Sequence, residues 1–387
     1  MKREKYRHLL LLLILLFVVP SLTGCWDYKV LKDMSYVSAV GIDYVDNQFV
    51  VYTQMVDFAS VGKVEGASSE EASSNIWVGK ATGSTFLLAW NNLYNSIQQK
   101  VHIGQVLSVV FTQKAMQMHL NQTIDMFERS EARLTPWIFT TEEPMDDLFS
   151  ITPMFPSSPL FTKLNSPENN YKQHSMIRPL KFLEFVALYS EPSTSIIVPT
   201  LSIDKNNWKQ KKKKMPEMTI NGAIIYHTKK KPRWMSKDDL LGVRWLEENT
   251  THTPLALNDD KGDIKAVLYF EKPKVSVKSK FSANGEPVYN LHIKVHGELN
   301  QLNVPMTTKK LKAEAEARIK AEIRSTYTAG LKNNVDVYHL EETMFRHRYA
   351  DWKRLTSRKS FPFTQNSLRD IQVEVEITNT GMSKLKT

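Results

Sequence analysis

The sequence predicts a mixed α/β (α+β) fold in several parts, small mixed sheets each covered by helices, with long C-terminal helices packed on an antiparallel sheet. Three observations predict it. Stripes of apolar residues at helical spacing alternate with short β-branched runs from residue 34 onward. Proline-rich and lysine-rich stretches interrupt the chain around 152–175 and 190–216. Finally, 387 residues at about 100–200 per domain point to two or three domains.

The elements follow in order from local patterning. Met34 to Ile42 and Phe49 to Phe58 are β-branched and aromatic runs around turn chemistry at Asp46-Asn47, a hairpin. Residues 59–74 are rich in Ser, Gly, Ala and Glu and read as a loop. Ser84 then opens a helix whose predicted buried face is Phe86, Leu87, Trp90, Leu93, Tyr94 and Ile97. Gln105 to Thr112 is a short strand, Met116, Leu120, Ile124 and Phe127 stripe a second helix, and Thr135 to Thr140 is another strand. Residues 152–175, with four prolines, are expected to be irregular, and Pro179 starts a helix facing inward through Phe182, Phe185, Val186 and Tyr189.

In the second half, Asn221-Gly222 offers a turn or bulge before the strand Ala223 to His227, and Ser236 caps a helix carrying Leu240, Leu241, Val243 and Trp245. Residues 263–297 read as three strands broken at Pro273 and Asn284-Gly285. A long helix starts at Thr307 or Thr308, with Leu311, Ala315, Ile319, Ile323 and Tyr327 every four residues. Val335 to Tyr349 is predicted as a second helix and Ile371 to Thr378 as a closing strand.

The N-terminus carries the sharpest chemical signal. Lys2, Arg3, Lys5 and Arg7 precede the unbroken apolar run Leu9 to Val19. As a helix that run is about 16 Å long, half of a ~30 Å hydrocarbon core, so it fits a cleaved signal peptide rather than a permanent span. Leu22-Thr23-Gly24-Cys25 follows, and Cys25 is the only cysteine in the chain. An apolar residue, two small residues and then cysteine is a bacterial lipobox: the small residues thread the peptidase, and the thiol takes a diacylglycerol thioether. Cys25 is therefore the expected lipidation site, S-diacylglycerol and N-acyl. The lone cysteine also excludes intramolecular disulfides, multi-cysteine zinc motifs and iron–sulfur clusters.

The net charge is +10; residues 1–24 contribute four basic residues and Glu4, which leaves +7 after processing. Residues 204–233 hold ten basic residues against Asp204 and Glu217, so the rest of the mature chain is close to neutral. Such local basicity does not describe a nucleic-acid-binding protein. Lys209, Lys211, Lys212, Lys213 and Lys214 have two readings: a solvated linker between domains, or contact with anionic headgroups or an acidic partner.

No GxSxG, HExxH, EF-hand or Walker pattern occurs. His292 and His296 sit on an alternating strand, where residues four apart lie about 13 Å from each other and cannot share one metal. The carboxylate doublets, Asp146-Asp147 among them, fall at helix ends or in loops. No catalytic, cofactor-binding or metal-binding residue is nominated.

Several segments together resemble the C subunit of spore germinant receptors, the Ger(x)C lipoprotein family. Gly24-Cys25-Trp26-Asp27 followed by Met34 to Asp43 is similar to that family's opening strand. Asp125 to Arg129, then Arg133 and Trp137-Ile138-Phe139, resembles its helix–Arg–strand unit. Asn221 to Tyr226 with Leu240-Leu241-Gly242-Val243-Arg244-Trp245-Leu246 resembles its G-A-hydrophobic…G-x-x-W-L block. Val335 to Tyr338, Trp352 and Glu374 to Gly381 are similar to its final helix and strand. Two details depart from the pattern: Val30 or Leu31 replaces the acidic residue usual a few positions after Trp26-Asp27, and Lys209 to Lys214 looks like an insertion.

The resemblance implies a non-enzymatic lipoprotein on the outer face of the spore inner membrane. It implies a multi-spanning A-type and a transporter-like B-type subunit as partners, with no cofactor, metal or nucleic acid. The domains expected are a removed signal peptide (1–24), an N-terminal region (25–200) that can divide into two small α/β units, a basic linker (201–216) and a C-terminal domain (217–387). The alternative is a substrate-binding lipoprotein of a solute uptake system, a class usually built from two similar lobes; the two halves here show no internal repeat.

Overall fold

The computed structural model describes residues 3, 6–8, 34–56, 76–129, 135–154, 159–227, 230–357 and 361–379. Its larger sheet is built on four parallel strands: β1 (Met34–Val45), β5 (Ser108–Thr112), β6 (Trp137–Thr141) and β8 (Ile196–Gln210). Ile42, Phe111, Thr140 and Thr200 stand in one row across them. Antiparallel strands extend this spine at both edges, β2 (Gln48–Val56) and β3 (Ile76–Gly83) beyond β1, β9 (Lys213–His227) and β10 (Lys230–Ser236) beyond β8. Short β4 (Lys100–His102) and β7 (Leu180–Lys181) pair with β1 and β6.

Alternation along the strands loads both faces. Val40, Ile42, Phe49, Val51, Val109, Phe111 and Ile138 meet α1 (Phe86–Tyr94), α2 (Gln113–Arg129) and, through Phe182 and Phe185, α5 (Phe182–Tyr189). The alternate residues Ala39, Val50, Tyr52, Val110 and Phe139 meet Met145, Leu148 and Phe149 of α3 (Met145–Phe149). The stripe Met116, Leu120, Ile124 and Phe127 is buried, matching its sequence spacing. On α1 the outcome differs: Phe86, Trp90 and Leu93 are buried, but Leu87 is 57% exposed and Tyr94 44%. Two further corrections concern prolines. Pro167, in the stretch expected to be irregular, is the first residue of α4 (Pro167–Gln173), where a missing N–H costs nothing. Pro179 precedes the two-residue β7, and α5 starts only at Phe182.

The smaller sheet runs β11 (Thr253–Asn258), β12 (Ile264–Phe281), β13 (Pro287–Leu302), β14 (Leu368–Asn379). Its first three strands are antiparallel, and β14 closes it parallel to β13. Pro273 does not end a strand. It lies in a bulge where Lys272 takes φ +46° and donates its N–H to Thr250 O at 2.6 Å, so β12 continues past it.

The long helix α6 (Thr308–Lys332) is capped by Thr307, whose Oγ1 accepts the Lys310 N–H, and it buries Leu311, Ala315, Ile319, Ile323 and Tyr327 on this sheet. The helix expected over Val335 to Tyr349 begins later, as α7 (Leu340–His347), followed by α8 (Tyr349–Thr356). Asp336 causes the delay: its carboxylate accepts the N–H groups of Tyr338 and Glu341, and His339 sits at φ +53°. The helix expected after Ser236 is a short 3-10 turn, Leu241–Trp245, although Ser236 Oγ accepts the Asp239 N–H as a cap would.

Strand β9 serves both halves. Ile224 and Tyr226 point into the core under α1, α2 and α5, whereas Ala223 and Ile225 point into the core under α6.

Candidate functional site

Cys25 and the lipobox lie outside the described residues. Among the described residues no helix is long and apolar enough to cross a membrane, and no group of His, Cys, Asp and Glu is arranged to hold a metal.

The lysine run is folded as paired strand rather than as an open loop. Residues 201–216 lie in a two-stranded ribbon whose register shifts once, between Asp204 and Trp208; beyond that irregularity Trp208 pairs with Met215, Lys209 with Lys214 and Gln210 with Lys213, around a turn with Lys211 at φ +57°. Pro199 and Pro216, on either side of the lysine run, belong to the paired strands β8 and β9. Every residue from Lys205 to Lys214 is exposed, and Trp208 is 53% exposed. Lys214 Nζ donates to Asn206 Oδ1 at 2.8 Å.

Register also divides the basic segment 204–233. The ribbon tip lies about 25–30 Å beyond the row Ile42–Thr200 in the direction of β1, at ~3.3 Å per residue. Lys230 pairs with His227, beyond the start of β8, so Lys230, Lys231 and Arg233 belong to the opposite end of the sheet. The two basic groups stand about 40 Å apart along β9. Met34, where β1 starts, is at the same end as Lys230 and away from the tip.

The block around Gly242 is a buried polar joint. Arg244 Nη2 donates to Glu322 Oε2 at 2.8 Å, and Trp245 Nε1 donates to the same oxygen at 2.8 Å. Arg244 Nη1 reaches Thr253 Oγ1 and Pro254 O, and the Gly242 N–H donates to Thr326 Oγ1. Arg244 and Glu322 are both buried. Sequence reasoning named Arg244 only within the family block and missed Glu322. The signal was present: Glu322 falls three residues after Ile319, on the apolar face of α6. The joint ties the 3-10 turn to the helix and the second sheet, a structural task.

His292 and His296 are on β13, as expected. Each meets a carboxylate of β14: His292 Nε2 lies 2.8 Å from Glu374 Oε1, and His296 Nδ1 3.2 Å from Glu376 Oε2. Lys294 donates to Glu376 as well, and that ion pair holds the Glu376 carboxyl below its ordinary pKa. Asp146 and Asp147 sit in the first turn of α3, where carboxylates suit the helix dipole.

Two of the surface concavities among the described residues bear on these elements. One of about 280 Å³ lies between α1 and α2, lined by Leu87, Trp90, Tyr94, Ile103, Met126 and Phe127 among others, which accounts for the exposure of Leu87. The other, about 360 Å³, lies at the base of the ribbon beside Phe161, Lys163, Trp208 and Glu217. Lys163 Nζ donates to Met218 O at 2.8 Å, and burial lowers its pKa against the pull of Glu217 and Asp204.

Comparison with known proteins agrees with this layout. The model of a family described as spore germination protein N-terminal domain matches residues 27–203, and the one described as spore germination B3/GerAC like, C-terminal, matches residues 220–381. The ribbon tip falls in the gap between them. Spore germination protein KC of Bacillus subtilis (strain 168) is 21% identical, covering 97% of each chain. Spore germination protein A3 of the same organism is 24% identical over 54% of this chain and 52% of that one. A crystal structure of the GerBC protein superposes with a TM-score of 0.51 at 15% identity, covering 88% of this chain and 97% of the other. The chain belongs to the GerAC-like spore germination family, the family of germinant-receptor C subunits.

Proposed function

We propose that this chain is the lipoprotein subunit of a nutrient germinant receptor, held by Cys25 on the outer face of the spore inner membrane and working with A-type and B-type subunits without chemistry of its own. The observation that carries the reading is the pair of family matches, in order, over 27–203 and 220–381, directly behind a lipobox ending in the single cysteine. The ionisable groups support a non-catalytic role, because Arg244 and Glu322 are buried in a packing joint and His292 and His296 are paired across strands.

A diacylglycerol plus an N-acyl chain supplies more than one hydrophobic anchor, enough for stable membrane residence where a single chain binds reversibly. Cys25→Ala is expected to leave a heavier, uncleaved precursor and to abolish nutrient-triggered germination, with germination through receptor-independent stimuli unchanged. Mass spectrometry of the native chain is expected to find Cys25 lipidated; an unmodified thiol there sinks the anchoring.

A further inference from the structure

We infer that the lysine-tipped ribbon is a docking arm for an acidic protein surface and that it points away from the membrane; the orientation rests on the anchoring at Cys25 proposed above. Nine residue steps separate Cys25 from Met34, so the start of β1 lies within about 32 Å of the lipid. Lys230, Lys231 and Arg233 belong to that same end of the sheet, with Trp234 39% exposed beside them. These are the cations placed to meet anionic headgroups.

The ribbon leaves by the other end. Along the strands its tip is about 50 Å from Met34. With the anchored end held down by lipid and by its own cations, the tip stands many times the ~8 Å Debye length from the headgroups and gains nothing from them.

The tip is nevertheless built to meet negative charge. Lys205, Lys209 and Lys211 to Lys214 crowd one short ribbon, with Asp204 and Glu217 at its base as the carboxylates of the same segment. Among the described residues none of the six lysines enters an ion pair. Packing explains little of the extension, since every residue from Lys205 to Lys214 is exposed and of these only Trp208 lines the concavity at the ribbon's base. Trp208, pairing with Met215, adds a large apolar surface next to the cations. Lysines with an adjacent exposed indole fit an Asp- and Glu-rich protein surface, with charge setting the approach and the ring supplying contact area.

The test uses the full-length lipidated chain in native spore membranes. A carbodiimide joins lysine amines to carboxylates in contact, and mass spectrometry identifies the joined peptides. Coupling of Lys211 to Lys214 to Asp or Glu of another membrane-complex subunit is expected. The yield should fall about threefold as salt rises from 0.1 to 0.5 M, as electrostatic docking requires. Replacing Lys211, Lys212, Lys213 and Lys214 by Gln should reduce the docked complex, isolated by co-purification, at least tenfold while leaving the thermal melt unchanged. In Lys212→Cys a fluorophore at the tip should be insensitive to headgroup-quenching lipids. A quenched fluorophore places the tip on the membrane and overturns the inference, as does unchanged co-purification of the Gln variant. Because Cys25 is the only native cysteine, a lipidated chain takes one label; a second label on Cys25 identifies failure of the anchoring itself.

Discussion

Glu322→Ala is expected to destabilise the chain by about 3–5 kcal/mol, the usual consequence of leaving one partner of a buried ion pair uncompensated. Glu322 accepts from Arg244 and from the Trp245 indole through one oxygen, and Arg318 Nε lies 3.3 Å from the other. Removing the carboxylate strands a guanidinium in a site that is 4% exposed. That loss is a large fraction of the ~5–15 kcal/mol that stabilises a typical domain. Urea denaturation followed by tryptophan fluorescence measures it directly. The double variant Arg244→Met, Glu322→Leu should recover most of the loss, because an apolar pair of similar volume avoids desolvation. A single variant less than 1 kcal/mol below the parent would show that the pair is dispensable.

Gly242→Ala attacks the same joint by volume alone. A Cβ there would lie 2.3 Å from Tyr338 Oη, 2.8 Å from Glu322 O and 2.8 Å from Ile323 Cα. Tyr338 cannot swing aside cheaply, because its hydroxyl donates to Ile323 O at 2.9 Å and its ring is buried. The 3-10 turn and α6 must therefore separate, at the upper end of overpacking costs, about 3 kcal/mol. Tyr338→Phe in the same chain removes the 2.3 Å contact but leaves the backbone ones, so it should rescue only partly. An unaltered melting temperature for Gly242→Ala would mean that the turn is looser than its contacts show.

Much of this architecture was legible because its elements obey simple periods. The stripes of α2 and α6 landed on their cores as spaced, and the alternation from Leu291 to Val295 placed both histidines on the open face. The failures have particular physical causes. Asp336 captured two N–H groups and postponed α7, a side-chain competition that apolar spacing does not register. Pro273 was absorbed by a bulge. The lysine run read as a linker because its charge and flanking prolines resemble one, yet pairing between β8 and β9 needs only backbone. Glu322 was overlooked because a charged residue on a buried stripe looks like an interruption until its partner, 78 positions away, is known.

The alternation along β9 has a consequence for how the molecule comes apart. A slip of one residue against β8 would exchange Ala223 and Ile225 with Ile224 and Tyr226, sending a tyrosine ring into space shaped for smaller side chains while emptying the opposite side. One strand's placement thus decides the interior of both halves at once, and neither can rearrange while the other stays native. Melting should follow a single cooperative transition despite the length of the chain. Amide exchange along 222–227 should be as slow as the slowest positions of either half, since those amides open only when the whole protein does.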